Sequence, residues 1–170
     1  RCYTDLSSKK TLTFFVGERF FMRFDQLIAE ELIVFDPSID SKGSLFERIG
    51  DVLKKTNKVR NVQKVVKALF KREEEISTGI EDGFGIPHAK SKYVRKPALC
   101  FFHTAKLTDY SGIDEMPIEY IFAIVVPEKS ADMHLEILSA LSRRLMNADF
   151  RKGIKEATTP ADIIRQISQE

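Results

Sequence analysis

One histidine, His88, ends a stiff, glycine-rich stretch and is the residue of this sequence best placed to carry out chemistry. The stretch reads Gly83-Phe84-Gly85-Ile86-Pro87-His88. Glycine lets a backbone turn tightly and approach a ligand closely, and Pro87 fixes its own φ and favours an extended Ile86. A neutral imidazole presented in this way is a nucleophile near neutral pH. Phosphoryl transfer asks of a protein mainly in-line positioning and electrostatic stabilisation, so the stretch predicts that His88 accepts a phosphoryl group.

The sequence contains two further histidines, His103 and His134. His134 lies early in a predicted helix and can assist His88, whereas His103 follows an apolar run, where we expect a structural role at the end of a strand. A zinc site needs three or four protein ligands, and two histidines alone do not supply them. The sequence therefore predicts no metal and no organic cofactor, and a metal-dependent hydrolase is the least favoured hypothesis.

Alternating helix and strand signals predict the elements that position these residues. Ser44 and Glu47 have the spacing of a capping box at the start of a first helix, and Asn61 or Val62 opens a second that ends in the charged stretch 71–75. Residues 97–102 and 118–126 are rich in β-branched and aromatic side chains and predict buried strands. A long helix is expected over 130–146, and Thr159-Pro160 predicts the start of a last one. The alternation predicts an α/β domain.

Composition narrows the classes of function. The 170 residues include 27 Lys and Arg against 25 Asp and Glu, and this near-balance argues against a nucleic-acid binder. No apolar run approaches the roughly 20 residues of a membrane helix, so no membrane insertion is expected. Two cysteines are too few for a disulfide framework, and Cys100, within an apolar strand, is predicted to be a buried, inert thiol. This usage fits a reducing compartment and predicts a cytoplasmic protein.

Residues 1–21 differ from the rest of the chain. They carry four phenylalanines at positions 14, 15, 20 and 21 and show no clear helical or strand period. We expect this segment to be a leader or the remnant of a preceding domain, without an assignable role, and residues 22–170 to form the functional domain.

Several separate blocks of the sequence resemble one family, the Enzyme IIA domains of the bacterial phosphoenolpyruvate-dependent sugar phosphotransferase system, in their fructose–mannitol class. That family has an Arg-Glu pair, then Ser-Thr-Gly-Ile and Ile-Pro-His, and later a strand ending in proline and a His-Leu in a helix. The corresponding residues here are Arg72-Glu73, Ser77-Thr78-Gly79-Ile80, Ile86-Pro87-His88, Val126-Pro127 and His134-Leu135. The resemblance implies a mixed β-sheet flanked by α-helices.

The resemblance also implies roles and partners. His88 would be the phosphorylated residue, His134 would lie beside it, and Arg72 would neutralise the phosphoryl group. Ser77 and Thr78 are candidates to donate hydrogen bonds to phosphoryl oxygens. The implied donor is a histidine phosphocarrier protein, and the implied acceptor is a cysteine of a IIB domain.

Two functions remain open at the level of sequence. The first is a phosphotransferase relay for sugar uptake. The second is a regulatory, IIA-like protein, as in the nitrogen-related members of the family, in which phosphorylation of His88 controls binding to transporters, kinases or transcription regulators. Both use the same histidine, so the chemistry of the residues does not separate them.

Overall fold

A five-stranded mixed sheet forms the centre of the computed structural model, which describes residues 13–16 and 19–169, with side chains from residue 23 onward. The strand order is β3-β6-β7, and β4 and β5 follow one another along the remaining side of β7. β6 and β7 are antiparallel, whereas β3 is parallel to β6, and β4 and β5 are parallel to β7. The strands are β3 (Ile33–Phe35), β4 (Phe84–Gly85), β5 (His88–Ser91), β6 (Ala98–Ser111) and β7 (Pro117–Pro127).

Five helices cover the two faces of this sheet and confirm the predicted α/β class. One face packs against α1 (Lys42–Lys55) and α2 (Val62–Glu75), and the other against α3 (Ala131–Leu145), α4 (Ala148–Glu156) and α5 (Pro160–Ser168). Phe101 and Phe102 are both fully buried, on opposite faces. Because alternate residues of a strand point to opposite faces, a sheet covered on both sides needs the continuous apolar runs that the sequence shows.

Two helices, α2 and α5, begin at the capping residues that the sequence predicts, and the start of α1 is a correction. Asn61 accepts a hydrogen bond from the Lys64 N–H at the start of α2, and Thr159 forms a capping box at the start of α5. The first helix begins three residues earlier than predicted, because Ser41 is its N-cap. Ser44, predicted as the N-cap, is instead the N3 residue whose hydroxyl accepts from the Ser41 N–H.

The elements that were not predicted from the sequence include an N-terminal hairpin and the helix α4. Residues 13–16 and 19–22 form an antiparallel hairpin of two strands, β1 (Thr13–Val16) and β2 (Arg19–Met22), within the segment that showed no period. The rest of the expected leader lies outside the described residues. α4 was also missed, since it has only nine residues and a glycine, Gly153, in its interior. A Cβ at Gly153 would lie 2.3 Å from Gln166 Oε1, so this glycine allows close packing between α4 and α5.

The strand that contains His103 is longer than predicted. β6 continues through register shifts to Ser111, so His103 lies within the strand and not at its end. Its Nε2 is 3.5 Å from Glu119 Oε1, and its ring stacks on that of Tyr120 at 4.6 Å.

Cys100 is buried, and burial raises the pKa of its thiol to about 12, as expected of an inert cysteine. Among the described helices, none is both long and apolar enough to cross a bilayer.

Candidate functional site

A tight turn leads the chain into the strand that precedes the candidate nucleophile. The Phe84 N–H donates to the Glu81 carbonyl at 3.1 Å, and the two central residues have positive φ angles, 58° at Asp82 and 83° at Gly83. Two positive φ angles define a type I′ turn, for which Asp-Gly is a preferred pair. Asp82 also pairs with Arg151 and Lys155 of α4, and the hydrogen bond from Lys155 is the main cause that lowers the pKa of its carboxyl group. The turn is thereby fixed to the helical layer.

Gly85 is required by close packing against Tyr110. A Cβ at this position would lie 2.7 Å from the Tyr110 hydroxyl oxygen and 3.1 Å from Ile118 Cγ2. The preceding Phe84 is fully buried and stacks on Tyr120 at 5.1 Å, so it packs inward and is no surface contact. Both side chains of the short strand β4 are therefore determined by the core beneath it.

His88 is the first residue of β5 and is only 7% exposed. Its Nδ1 is 2.7 Å from the Ile86 carbonyl oxygen. Because a carbonyl oxygen only accepts, this contact assigns the proton to Nδ1 and leaves the lone pair on Nε2. Burial is the main cause that lowers the pKa of His88, and the positive charge of Arg72 acts in the same direction. The neutral, nucleophilic form is therefore favoured at neutral pH.

His134, in the first turn of α3, faces His88. The two ring centroids are 5.1 Å apart at an interplanar angle of 49°. His134 is 7% exposed, and its Nε2 is the one buried side-chain polar atom without a hydrogen-bond partner among the described residues. Leaving such an atom unpaired costs about 1–3 kcal/mol. Burial, followed by the charges of His88, Lys90 and Arg72, lowers the pKa of His134 to about 4, so it is neutral at pH 7.

Arg72 reaches the same region from the last turn of α2. Its Nη1 donates to the Ile76 carbonyl oxygen at 3.0 Å, and Ile76 is the residue that ends the helix. The charge of Arg72 contributes to lowering the pKa of both His88 and His134, as a cation close to the two rings would. His88 and His134 thus lie against each other, and the charge of Arg72 at the end of α2 acts on both rings.

Ser77 and Thr78 have partners within the fold. Ser77 is exposed, and its hydroxyl oxygen accepts from the Gly79 N–H at 3.3 Å. Thr78 is buried, and its hydroxyl donates to Glu73 Oε2 at 2.5 Å. A hydroxyl has a single proton, so a donation from Thr78 to a phosphoryl oxygen would require this contact to break. Their role as phosphoryl donors stays a prediction, and the geometry favours a structural role for Thr78.

Two charged residues near the site were not assigned a functional role from the sequence. Lys90 was interpreted as solvated surface. It is exposed, but it follows His88 by two positions in β5 and so lies on the same face of the strand. Glu73, known only as the neighbour of Arg72 in the motif, is a buried carboxylate. The period of two was the available signal for Lys90, whereas nothing in the sequence separates Glu73 from the adjacent Glu74 and Glu75. Within the described part of the chain, no group of three His, Cys, Asp or Glu residues is arranged to hold a metal ion.

Comparison with known proteins identifies relatives of this arrangement. The sequence model of the family described as "Phosphoenolpyruvate-dependent sugar phosphotransferase system, EIIA 2" matches residues 26–170. The chain is 36% identical over 140 residues to the PTS system fructose-specific EIIA component of Haloferax volcanii, a match that covers 81% of this chain and 91% of that protein.

Solved structures agree with this result. The nitrogen regulatory protein IIA-Ntr from Neisseria meningitidis superposes with a TM-score of 0.77 at 27% identity, over 84% of this chain and 97% of that one. The structure of enzyme IIAMTL from Escherichia coli, in complex with phosphorylated enzyme IIBMTL, gives a TM-score of 0.69 at 15% identity, over 83% of this chain and 96% of that one. The second likeness shows the fold alone.

Proposed function

The chain belongs to the EIIA 2 family of the phosphoenolpyruvate-dependent sugar phosphotransferase system, and we propose that it is a cytoplasmic phosphocarrier. His88 accepts a phosphoryl group from a histidine phosphocarrier protein and passes it to a cysteine of a IIB domain, which phosphorylates a sugar during uptake. The chain is then a phosphotransferase that works with protein partners.

One observation carries the proposal: the buried ring of His134 faces that of His88, and its Nε2 has no hydrogen-bond partner among the residues whose side chains are described. A phosphoryl group on His88 would bring acceptor oxygens to this region and could supply the missing partner. His134 is neutral and donates through Nε2–H, whereas Arg72 and Lys90 provide the positive charge that a phosphoryl dianion needs.

The bonds that form and break in the proposed transfer involve only phosphorus, the donor nitrogen, Nε2 of His88 and the acceptor sulfur. The Nε2 lone pair of His88 attacks phosphorus, the Nε2–P bond forms, and the bond from phosphorus to the donor nitrogen breaks with the electron pair remaining on that nitrogen. In the second step the sulfur of the IIB thiolate attacks phosphorus and His88 leaves as a neutral imidazole. The hydrogen bond from Nδ1 to the Ile86 carbonyl supports both steps, since it keeps the attacking and leaving nitrogen free of a proton.

A regulatory function is the second candidate, and the likeness to the nitrogen regulatory protein IIA-Ntr at 27% identity favours it. In this case the phosphorylation state of His88 controls binding to a transporter, a kinase or a transcription regulator. The two functions differ in the fate of the phosphoryl group: a relay passes it on rapidly to a IIB cysteine, whereas a regulator retains it until a signal or a reverse transfer removes it.

The test is incubation with a pre-phosphorylated histidine phosphocarrier protein in the presence of EDTA, followed by intact mass measurement. EDTA is tolerated because the proposed transfer uses no metal, and the magnesium-dependent step upstream is bypassed. We expect one phosphoryl group per chain, labile in acid and stable in base, and none in His88→Gln. His103→Gln, which removes a histidine outside the site, is the matched control and should incorporate fully. Full incorporation in His88→Gln would refute the proposal, and a chase with IIB domains separates the relay from the regulator.

A further inference from the structure

Glu73 is a buried carboxylate that the proposed transfer does not use. Its side chain is only 3% exposed, and it follows Arg72 in the last turn of α2. Its two oxygens accept from the Thr78 N–H at 3.1 and 3.3 Å and from the Thr78 hydroxyl at 2.5 Å. Lys42 Nζ, from the first residue of α1, lies 3.5 Å from Oε1. A buried charge costs several kcal/mol unless it is paired in this way, so the placement of Glu73 needs a reason.

Hydrogen bonds connect this carboxylate to the imidazole of His88. Glu73 holds Thr78, the Thr78 carbonyl accepts from the Ile86 N–H at 3.0 Å, and the Ile86 carbonyl accepts from His88 Nδ1 at 2.7 Å. We propose that Glu73 is a positioning residue: through Thr78 it fixes the Ile86 peptide, whose carbonyl holds the proton of His88 on Nδ1 and leaves Nε2 free to attack. The consequence for transfer rests on the proposed function, whereas the effect on the tautomer does not.

The donors and acceptors around Thr78 leave one consistent arrangement. The carboxylate of Glu73 only accepts, so the single proton of the Thr78 hydroxyl points to it. The Tyr110 hydroxyl, 2.5 Å from Thr78 Oγ1, must then donate to Thr78. Burial, together with the negative charge of Glu73, raises the pKa of Tyr110 and keeps its proton in place. Tyr110 therefore adds a second contact to Thr78 but makes none of the bonds that run on to His88.

A purely structural role predicts a loss of stability and nothing else, so the test measures the tautomer directly. The imidazole nitrogens of His88 are observed by ¹⁵N NMR in the unphosphorylated, histidine-labelled full chain. We expect the wild type to hold the Nδ1–H form. Glu73→Gln keeps the size of the side chain but replaces an acceptor by an NH₂ donor, and we expect a mixture of both tautomers. The rate of phosphoryl acceptance should fall roughly ten- to a hundredfold, as for a misplaced reacting group, with the KM for the donor protein nearly unchanged.

Tyr110→Phe is the matched control, because it removes a buried hydroxyl from the same cluster and leaves both the N–H and the hydroxyl of Thr78 bonded to Glu73. It should lower the melting temperature but retain the Nδ1–H tautomer. If Glu73→Gln does not fold, the pair Thr78→Ser and Thr78→Val takes its place: serine retains the hydroxyl contact and should keep the tautomer, and valine should lose it.

Three results would overturn the inference: an Nε2–H tautomer in the wild type, a wild-type tautomer in folded Glu73→Gln or, in its place, Thr78→Val, or an equal loss of the tautomer in Tyr110→Phe. None of them depends on phosphorylation. A wild-type chain that holds the Nδ1–H form but accepts no phosphate would instead refute the proposed function and leave this inference intact.

Discussion

Two neutral imidazoles face each other at the site, and burial is the cause in both cases. Removing a histidine from water disfavours its charged form and lowers its pKa, so His88 stays nucleophilic and His134 stays an uncharged donor at neutral pH. In the proposed transfer, the positive charge needed by a phosphoryl group comes separately, from Arg72 and Lys90. This division lets the site keep a reactive nitrogen and still attract an anion.

The first prediction concerns the residues that assist His88. Loss of one charge-assisted or buried contact to the phosphoryl group should cost about 2–4 kcal/mol of transition-state stabilisation, a slowing of roughly tens- to a thousandfold. We therefore expect His134→Ala and Arg72→Gln to slow single-turnover transfer in both directions, measured with phosphorylated carrier and with IIB. His134→Gln, which retains an N–H donor, should be slowed less than His134→Ala.

Lysine is an informative substitute for Arg72. Arg72→Lys keeps the charge but loses the planar fork, which donates to Ile76 and, in the proposed transfer, to a phosphoryl oxygen as well, so we expect an intermediate rate. Wild-type rates for His134→Ala with both partners would reduce His134 to a packing residue.

The second prediction concerns stability against acid. The pKa of His134 is about 4 in the folded chain, below its ordinary value of 6.5. Between these two values the unfolded chain binds more protons than the folded one, so stability falls as the pH drops from 6.5 toward 4. This group alone should remove about 2 kcal/mol between pH 7 and about pH 4.5.

Urea unfolding of the wild type and of His134→Gln at these two pH values measures that contribution. The variant should lose less stability on acidification, by the same amount. Comparison with His103→Gln, which removes a histidine outside the site, isolates the effect of the buried one. An unchanged pH dependence in His134→Gln would contradict the prediction.

At the scale of the helices, the capping residues decided which helix starts the sequence could predict. Asn61 and Thr159 are strong caps followed by apolar residues at helical spacing, and the helices α2 and α5 begin there. At α1 two serines compete for the same role, Ser41 and Ser44, and only the structure shows that the earlier one is the cap. α4 is as short as α5 but has only two large apolar residues, Phe150 and Ile154, and a glycine in its interior, so its sequence shows no clear helical period.

The site was predictable to a similar extent. The backbone of the stretch before His88 could be predicted from its residues alone, because glycine permits tight turns and proline fixes φ wherever they occur. The approach of Arg72 and His134 to His88 depends on how α2, β5 and α3 meet, so it followed only from the resemblance to a family. The role of Glu73 followed from neither, since it depends on hydrogen bonds that only the folded chain forms.

The third prediction tests the packing of the strand β4 beneath the site. In Gly85→Ala the new Cβ would lie 2.7 Å from the Tyr110 hydroxyl oxygen, and Tyr110 is fully buried. Overpacking of this kind typically costs about 1–3 kcal/mol, so we expect a lower free energy of unfolding. Gly43→Ala, in the first turn of α1, is the matched control, since its Cβ has no neighbour closer than 4.0 Å. It should be slightly stabilising. Equal unfolding free energies for the two variants would contradict this account.

In the molecule as a whole, one helix from each of the two helical layers meets the sheet at the start of β5. α2 comes from one face of the sheet, α3 from the other, and His88 lies between them on the strand along β7. Each layer is held by its own apolar cluster. Exposed residues lie close in sequence to the two buried histidines, Lys90 two positions after His88 and Leu135 directly after His134.

The last prediction concerns the segment that precedes this domain. Among the residues whose side chains the structure describes, the two apolar clusters draw on residues between Phe24 and Ile167, and the family match begins at residue 26. A chain that begins at Met22 should therefore fold with the melting temperature of the full chain and accept phosphate at the same rate. The competing outcome is a lower stability or a changed apparent mass of the truncated chain. It has a structural basis, because the backbone of β2 approaches α3, the helix that carries His134.

Thermal unfolding, light scattering and phosphate incorporation, measured on both chains at equal concentration, distinguish these outcomes. A lower melting temperature or a changed apparent mass in the truncated chain would show that the hairpin docks on the domain or on a second copy. A truncated chain that folds but no longer accepts phosphate would show that residues 1–21 belong to the functional unit. We expect neither result, because Arg72, His88 and His134 are all held by elements that pack within the two clusters.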